Sequence, residues 1–235
     1  MVGRVTWAGL LCLVGAAMPV AAQDAAWTLV AKGNLTTSSQ IYDSPNSPDP
    51  FRRSAFLDVT DFFGYGVELK YQIPETHVAV GISLERVRAR LERPLFESSG
   101  PYIPIEDGYT AVPIELTGYF IIPASGTTFG VFMGGGLGVY LGQRNYSWAG
   151  TPSELVDSKP GFGIHVLAGV SARFAGTFSL IGEMKFRDLQ FQSTNRFSAS
   201  TIDYQGTQVH LPTGSLDSNV HTDGITFQIG LAFSF

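Results

Sequence analysis

Apolar and polar residues alternate along most of this chain with a period of two. Phe63, Tyr65, Val67, Leu69, Tyr71 and Ile73 are interleaved with Gly64, Gly66, Glu68, Lys70 and Gln72. Val78, Val80, Ile82 and Leu84 alternate with Ala79, Gly81, Ser83 and Glu85, and the chain ends on Ile225, Phe227, Ile229, Leu231, Phe233 and Phe235 set against Thr226, Gln228, Gly230, Ala232 and Ser234. Successive side chains of a strand point to opposite faces, so each run predicts a strand with one oily and one polar face. Five further runs carry the same signal, over Trp27 to about Tyr42, Val112–Ile122, Phe129–Leu141, Phe162–Phe174 and Phe178–Arg187, for eight strands in all.

The connections alternate too. Pro74–Thr76, Pro123–Gly126 and Ala175–Gly176 are short turns after the second, fourth and sixth strands. Long polar stretches follow the first, third, fifth and seventh strands: Asp43–Asp61, about Glu92 to Tyr109, Gln143–Pro160 and about Ser193 to Thr222. Glutamates, lysines and glycines share one parity while the aromatics share the other. A soluble barrel keeps apolar residues inside, so in water this parity would leave every aromatic face wet. In hydrocarbon that face is satisfied, and a closed ladder satisfies the backbone. The expected fold is all-β: an eight-stranded antiparallel up-and-down transmembrane β-barrel with short periplasmic turns and long extracellular loops. Pro113 falls inside the fourth strand and cannot donate to a ladder, so it is expected near the strand's top or at a bulge.

Residues 1–22 read as a secretory signal peptide. Arg4 is its only charge, Trp7–Ala17 is an apolar run too short to span a bilayer, and Val20-Ala21-Ala22 fits a small-residue cleavage site. Cys12 follows Leu11, where a lipoprotein signal needs a small residue. Cleavage after Ala22 leaves 213 of the 235 residues, one barrel domain over 23–235 without cysteine. Losing Arg4 takes the 15 basic residues to 14 against 20 acidic ones, a net charge of −6 that argues against nucleic acid as a partner. No clustered Cys, His or Asp stands at ligand spacing, so neither metal nor cofactor is expected.

The terminal spacing Gln228-x-Gly230-x-x-Phe233-x-Phe235 resembles the signal by which the barrel-assembly machinery reads bacterial outer-membrane β-barrels. With eight strands and the loop asymmetry, the mature chain resembles small outer-membrane proteins of the OmpA/OmpX type. The resemblance implies a bacterial outer-membrane location, outer-membrane lipid as surroundings and a structural, adhesion or surface-interaction role. It departs from the OmpA pattern in having no peptidoglycan-binding domain after the last strand, so cell-wall anchoring is not implied.

Strand parity turns Lys32, Glu68, Lys70, Glu85, Glu115, His165, Arg173, Glu183, Lys185 and Arg187 inward. Eight strands leave room only for side chains, and buried charges need partners. An ion-pair plug is the expected arrangement; a gated narrow pore for small solutes is the alternative. A lipid-modifying enzyme would need Ser, His and an acid within reach of one another. Only His165, Ser171 and Glu183 come into question, all with lumen parity, and no catalytic residue is assigned. Arg86, Arg88 and Arg90 continue the outward parity above Leu84, where they could meet lipopolysaccharide phosphates. The readings preferred to that contact are a bulge near Glu85, which would turn Val87, Ala89 and Leu91 outward, or arginines that are simply solvated. The long loops carry Arg52, Arg53, Tyr146, Trp148 and Tyr204, residue types suited to recognition.

Overall fold

A computed structural model describes residues 26–95, 103–123 and 128–235. The expected signal peptide lies outside the described residues, as do residues 124–126 of the second short turn. The strands in chain order are β1 (Trp27–Tyr42), β2 (Phe56–Gln72), β3 (Val78–Leu95), β4 (Ile103–Ile121), β5 (Phe129–Trp148), β6 (Thr151–Pro152), β7 (Glu154–Lys159), β8 (Gly161–Ala175), β9 (Phe178–Arg187), β10 (Leu189–Arg196), β11 (Thr201–Tyr204), β12 (Thr207–His210), β13 (Leu216–Thr222) and β14 (Ile225–Ser234). A single helical turn, α1 (Pro50–Ser54), stands between β1 and β2, its start capped by Asp49.

Eight strands close into a ring. Neighbours pair antiparallel in sequence order, β1 through β5, then β8, β9 and β14, and β14 returns to β1 from Thr28↔Ser234 to Thr36↔Thr226. Closure leaves no edge in the ring, which is the condition for strands to cross hydrocarbon. The outward side chains are the apolar set of each strand. Phe63, Leu137, Phe162, Ile164 and Ile229 are all more than three-fifths exposed. The ten residue steps from Ile225 to Phe235 cover about 25 Å along the barrel axis at the usual rise and tilt, the height of an outer-membrane apolar belt. At the short-turn end the belt finishes in aromatics: Trp27 lies 4.8 Å from Tyr71, Phe178 5.2 Å from Phe233, and Phe233 5.8 Å from Phe235.

The long connections differ from the sequence expectation. Much of what reads as loop is strand. β3 runs on to Leu95 and β4 starts at Ile103, β5 reaches Trp148, and β2 begins at Phe56. β7, β10 and β13 continue the barrel strands β8, β9 and β14 upward, and β10 pairs with both β7 and β13. The ring therefore extends well above its apolar belt. In that extension the polarity reverses. Ile41, Val59, Phe62, Val87, Tyr109, Tyr140, Phe191 and Val220 pack inside, while Gln190, Gln192, Arg88 and Arg90 face out. β2 makes this change at Asp61, in a left-handed conformation (φ 53) that a short polar side chain tolerates. Val59 and Phe62, on either side of the kink, can then both point inward. The alternation survives in these stretches, but its apolar face is thinner and its polar face carries Pro, Ser and Asp, so composition hides the strands.

Two details also depart from expectation. Pro113 is neither near the top of β4 nor at a bulge. It pairs with Tyr140 on β5, and β4 continues ten residues above it. On its other side the β3–β4 ladder skips from Leu84↔Ile114 to Val87↔Ala111 without change of register, so the missing N–H is absorbed by a gap. No bulge interrupts β2–β3 at Glu85 either. Val87 and Ala89 are buried and Arg86, Arg88 and Arg90 keep the outward side.

Candidate functional site: the charged lumen and its plugs

The lumen is filled in layers. At the short-turn end a cavity of about 200 Å³ opens among Thr28, Gln72, Ser171, Arg173 and Ser234. Above it Val30, Ala79, Tyr119, Phe132, Leu167, Ile181 and Ala232 form a small apolar floor.

Two ionic tetrads occupy the middle. In the lower one Lys32 on β1 pairs with Glu68 on β2 and, at 2.6 Å, with Glu183 on β9. Lys70 stands 3.1 Å from Glu183 and 3.5 Å from Glu68, with its ammonium 4.0 Å over the centre of the Tyr119 ring. The Tyr119 hydroxyl donates to Glu68. In the upper tetrad Lys185 reaches Glu85 at 3.1 Å and Glu115 at 2.7 Å, and Arg187 reaches the same carboxylates at 2.9 and 3.6 Å. Asn34 and Gln228 each donate to Glu85 at 3.0 Å, and Tyr140 donates to Glu115 at 3.2 Å. Each tetrad holds two carboxylates and two cations, so each is neutral within itself. That neutrality is what allows Glu68, Glu85, Glu115 and Lys185 to lie at most 2% exposed.

Glycines make the room. A Cβ on Gly81 would lie 2.5 Å from the Glu68 carboxylate, and one on Gly138 would lie 2.9 Å from both Glu115 Cγ and the Tyr140 hydroxyl. Lumen-facing glycines thus mark where neighbouring long side chains cross the barrel.

Of the ten residues assigned to the lumen from parity, eight enter the tetrads. His165 is buried beside them, its Nε2 2.9 Å from the Thr117 hydroxyl. Arg173 does not join; it sits exposed at the short-turn mouth. Ser171 lines the same mouth cavity, six residues along β8 from His165 and so about 20 Å away. Glu183 is taken up by Lys32 and Lys70. The three residues of a hydrolytic triad are therefore held apart. Among the described residues no group of His, Cys, Asp and Glu is arranged to hold a metal ion. His77 sits at a turn and His210 on β12. The His221 ring on β13 lies 4.9 Å from that of Tyr42, tilted by 54°, and burial there pushes its imidazole below the ordinary value.

Above the tetrads lies the apolar plug of the extension, in which Tyr109 meets Phe62 and Phe191 edge-on at 5.7 Å each and bonds Thr222 at 3.0 Å. A third ionic group, absent from the sequence reading, caps it. Arg144 donates to both oxygens of Asp107, at 2.9 and 2.6 Å, and to Asp43 at 2.5 Å. Arg93 adds a bond to Asp107 at 3.2 Å. The signal that could have found it is phase. Asp107, Tyr109, Ala111 and Pro113 share a parity with Glu115, as do Arg144 and Tyr140 with Gly138. Of the terminal residues, Gln228 and Gly230 face the lumen, while Phe233 and Phe235 belong to the aromatic rim.

No family model matches the chain. One stretch of 98 residues, 40% of the chain, is 33% identical to a part of probable rhamnogalacturonate lyase A of Aspergillus fumigatus. The match spans only 16% of that protein and carries neither its family nor its activity. Solved structures are similar over nearly the whole length. The outer membrane protein OprG of Pseudomonas aeruginosa superposes with a TM-score of 0.56 at 12% identity, over 90% of this chain and 96% of that one. Neisserial surface protein A does so with a TM-score of 0.50 at 11% identity, over 89% and 97%. At such identities the likeness establishes the fold, an eight-stranded antiparallel barrel of the outer-membrane kind.

Proposed function

We propose that the protein is an integral barrel of a bacterial outer membrane, with a sealed lumen and a rigid extracellular extension that acts in surface interaction. The observation that carries this reading is the stack of two neutral tetrads between two apolar layers. A conducting pore has to wet its charged lining, whereas here Glu68, Glu85, Glu115, Lys185 and Arg187 are at most 5% exposed. Ser171, His165 and Glu183, the residues weighed for hydrolysis, are held apart, and Glu183 is taken up by Lys32 and Lys70, which favours a non-enzymatic role. Above the belt, the extension is built like a soluble β-barrel, apolar inside and polar outside, and so presents a fixed surface to the exterior. The similarity to proteins named for the outer membrane and the Neisserial surface is of the same kind.

Residues 1–22 would direct export and be removed after Ala22. The terminal aromatics Phe233 and Phe235, with Gln228 and Gly230, would serve the barrel-assembly machinery before closure and the rim and lumen afterwards. Planar-bilayer recording tests the sealed lumen. The purified protein is expected to insert without conductance steps. Steady steps that change when Glu183 or Lys185 is neutralised would replace this reading by that of a narrow channel.

A further inference from the structure

The outward row of β3 changes character abruptly. Val78, Val80, Ile82 and Leu84 are followed on the same face by Arg86, Arg88 and Arg90, all exposed. Arg90 is occupied, at 2.6 Å from Glu106 and 2.9 Å from Glu92. Among the described residues no carboxylate lies within ion-pair distance of Arg86 or Arg88. Two free guanidinium groups therefore stand at the height where the apolar belt ends.

A groove of about 400 Å³ begins at Arg86. Val112, Leu141 and Leu155 supply its apolar wall, and Thr110 and Gln143 its polar rim. It exists because the wall of the barrel is incomplete there. The β5–β8 ladder ends at Tyr140↔Gly161, and β7 pairs with β10 rather than with the upper part of β5. Side-chain bonds take the place of a ladder across the seam: the Ser158 hydroxyl donates to the Gly142 carbonyl at 2.6 Å, the Arg144 N–H to the Ser193 hydroxyl at 3.1 Å and the Asn195 amide to the Arg144 carbonyl at 3.1 Å. Leu141 and Leu155 remain 44% exposed beside it.

We propose that this groove seats one phosphorylated, acylated lipid of the outer leaflet, with a headgroup phosphate on Arg86 and Arg88 and the start of an acyl chain against Val112 and Leu141. The guanidinium fork matches phosphate oxygens, and two such groups two residues apart on one strand face can share a phosphate. A soluble anion would have no use for the apolar wall, and a protein partner would have to enter the headgroup layer to reach it. The match of cation, apolar wall and height selects an amphiphile already in the membrane. The inference rests on the outer-membrane reading given above.

The test uses the full-length barrel in phosphatidylcholine nanodiscs titrated with bisphosphorylated lipid A, with bound lipid counted by native mass spectrometry. One lipid A per barrel is expected, with affinity at least tenfold lower in R86Q/R88Q and also lowered by L141N. Monophosphorylated lipid A should bind more weakly, inorganic phosphate should not compete, and R52Q/R53Q, in the helical turn α1, should bind as the parent does. Equal retention by R86Q/R88Q and the parent, or displacement by inorganic phosphate, overturns the site. Failure of a barrel to form in the nanodisc, read by heat-modifiable gel mobility before any lipid A is added, would overturn the membrane reading itself and the proposal with it.

Discussion

Leu84 and Arg86 leave β3 on the same side, and between them the barrel turns inside out. Below this level Leu84 faces out and Glu85 faces in; above it Arg86 faces out and Val87 faces in. The strand does not break or slip there. One continuous backbone thus serves two solvents, with polar contents where the surroundings are hydrocarbon and apolar contents where they are water. The energetic consequences differ between the two halves, and each can be probed separately.

In the lower half the stakes are electrostatic. Replacing Lys185 by Met leaves Glu85 and Glu115 facing a single cation, Arg187. Breaking a buried pair from one side costs about 3–5 kcal/mol. Urea unfolding in lipid vesicles, followed by gel mobility, should show a loss of that order. The double variant K185M/E115Q restores neutrality and should recover most of it. A double variant no more stable than K185M would mean that the tetrad is not balanced by charge.

In the upper half the stakes are packing. Phe191 is 2% exposed and lies edge-on to Tyr109. Phe191→Ala opens a cavity in a core that behaves like that of a soluble protein, at a cost of about 3–5 kcal/mol. Membrane insertion should be unaffected, because Phe191 lies above the apolar belt. Unfolding monitored by a tryptophan signal from Trp148 should shift well before the heat-modifiable mobility of the barrel does. Coincident shifts would show that extension and belt unfold as one unit.

Much of this was legible from residue parity alone. The faces of β2, β3, β5 and β14 follow directly from alternation, because hydrocarbon outside and charge inside make the contrast as large as it can be. Parity gives the face but not the depth, so it groups Arg173 with the lumen charges although that residue sits at the mouth. Nor does parity tell which carboxylate meets which cation. Lys32 and Glu183 lie 151 positions apart, and their contact depends on the tilt and closure of the ring. The extension is not legible in the sequence because Gln143-Arg144-Asn145 and Glu106-Asp107-Gly108 are polar on both faces. The strands there are held by a few buried residues rather than by an apolar stripe.

The lumen glycines offer a steric prediction. Gly138→Val would drive methyl groups into Glu115 and Tyr140, which already stand 2.9 Å from the ideal Cβ position. Overpacking of this kind typically costs about 1–3 kcal/mol, and here it would also displace a carboxylate from its cations. The variant should fold more slowly into vesicles and unfold at lower urea. Gly33, whose Cβ position is open, serves as the control, and Gly33→Ala should be close to neutral. Equal sensitivity at both positions would mean that strand flexibility matters and lumen space does not.

Arg144 gives the sharpest test of the cap. Its guanidinium holds both oxygens of Asp107 in a fork and adds Asp43, so that the top of the ring is tied across β4, β5 and the segment after β1. Arg144→Ala leaves the Asp107 carboxylate buried at 1% exposure with the Gly108 N–H and, as its one cation among the described residues, Arg93. Arg144→Lys restores the charge but cannot reproduce two parallel bonds. Both variants should insert normally, since the belt and the tetrads are untouched. Proteinase K added outside sealed vesicles should cut the extension of R144A at least tenfold faster than that of the parent, with R144K nearer to R144A. Cleavage of R144K at the parent rate would show that a positive charge suffices and that the forked geometry contributes nothing.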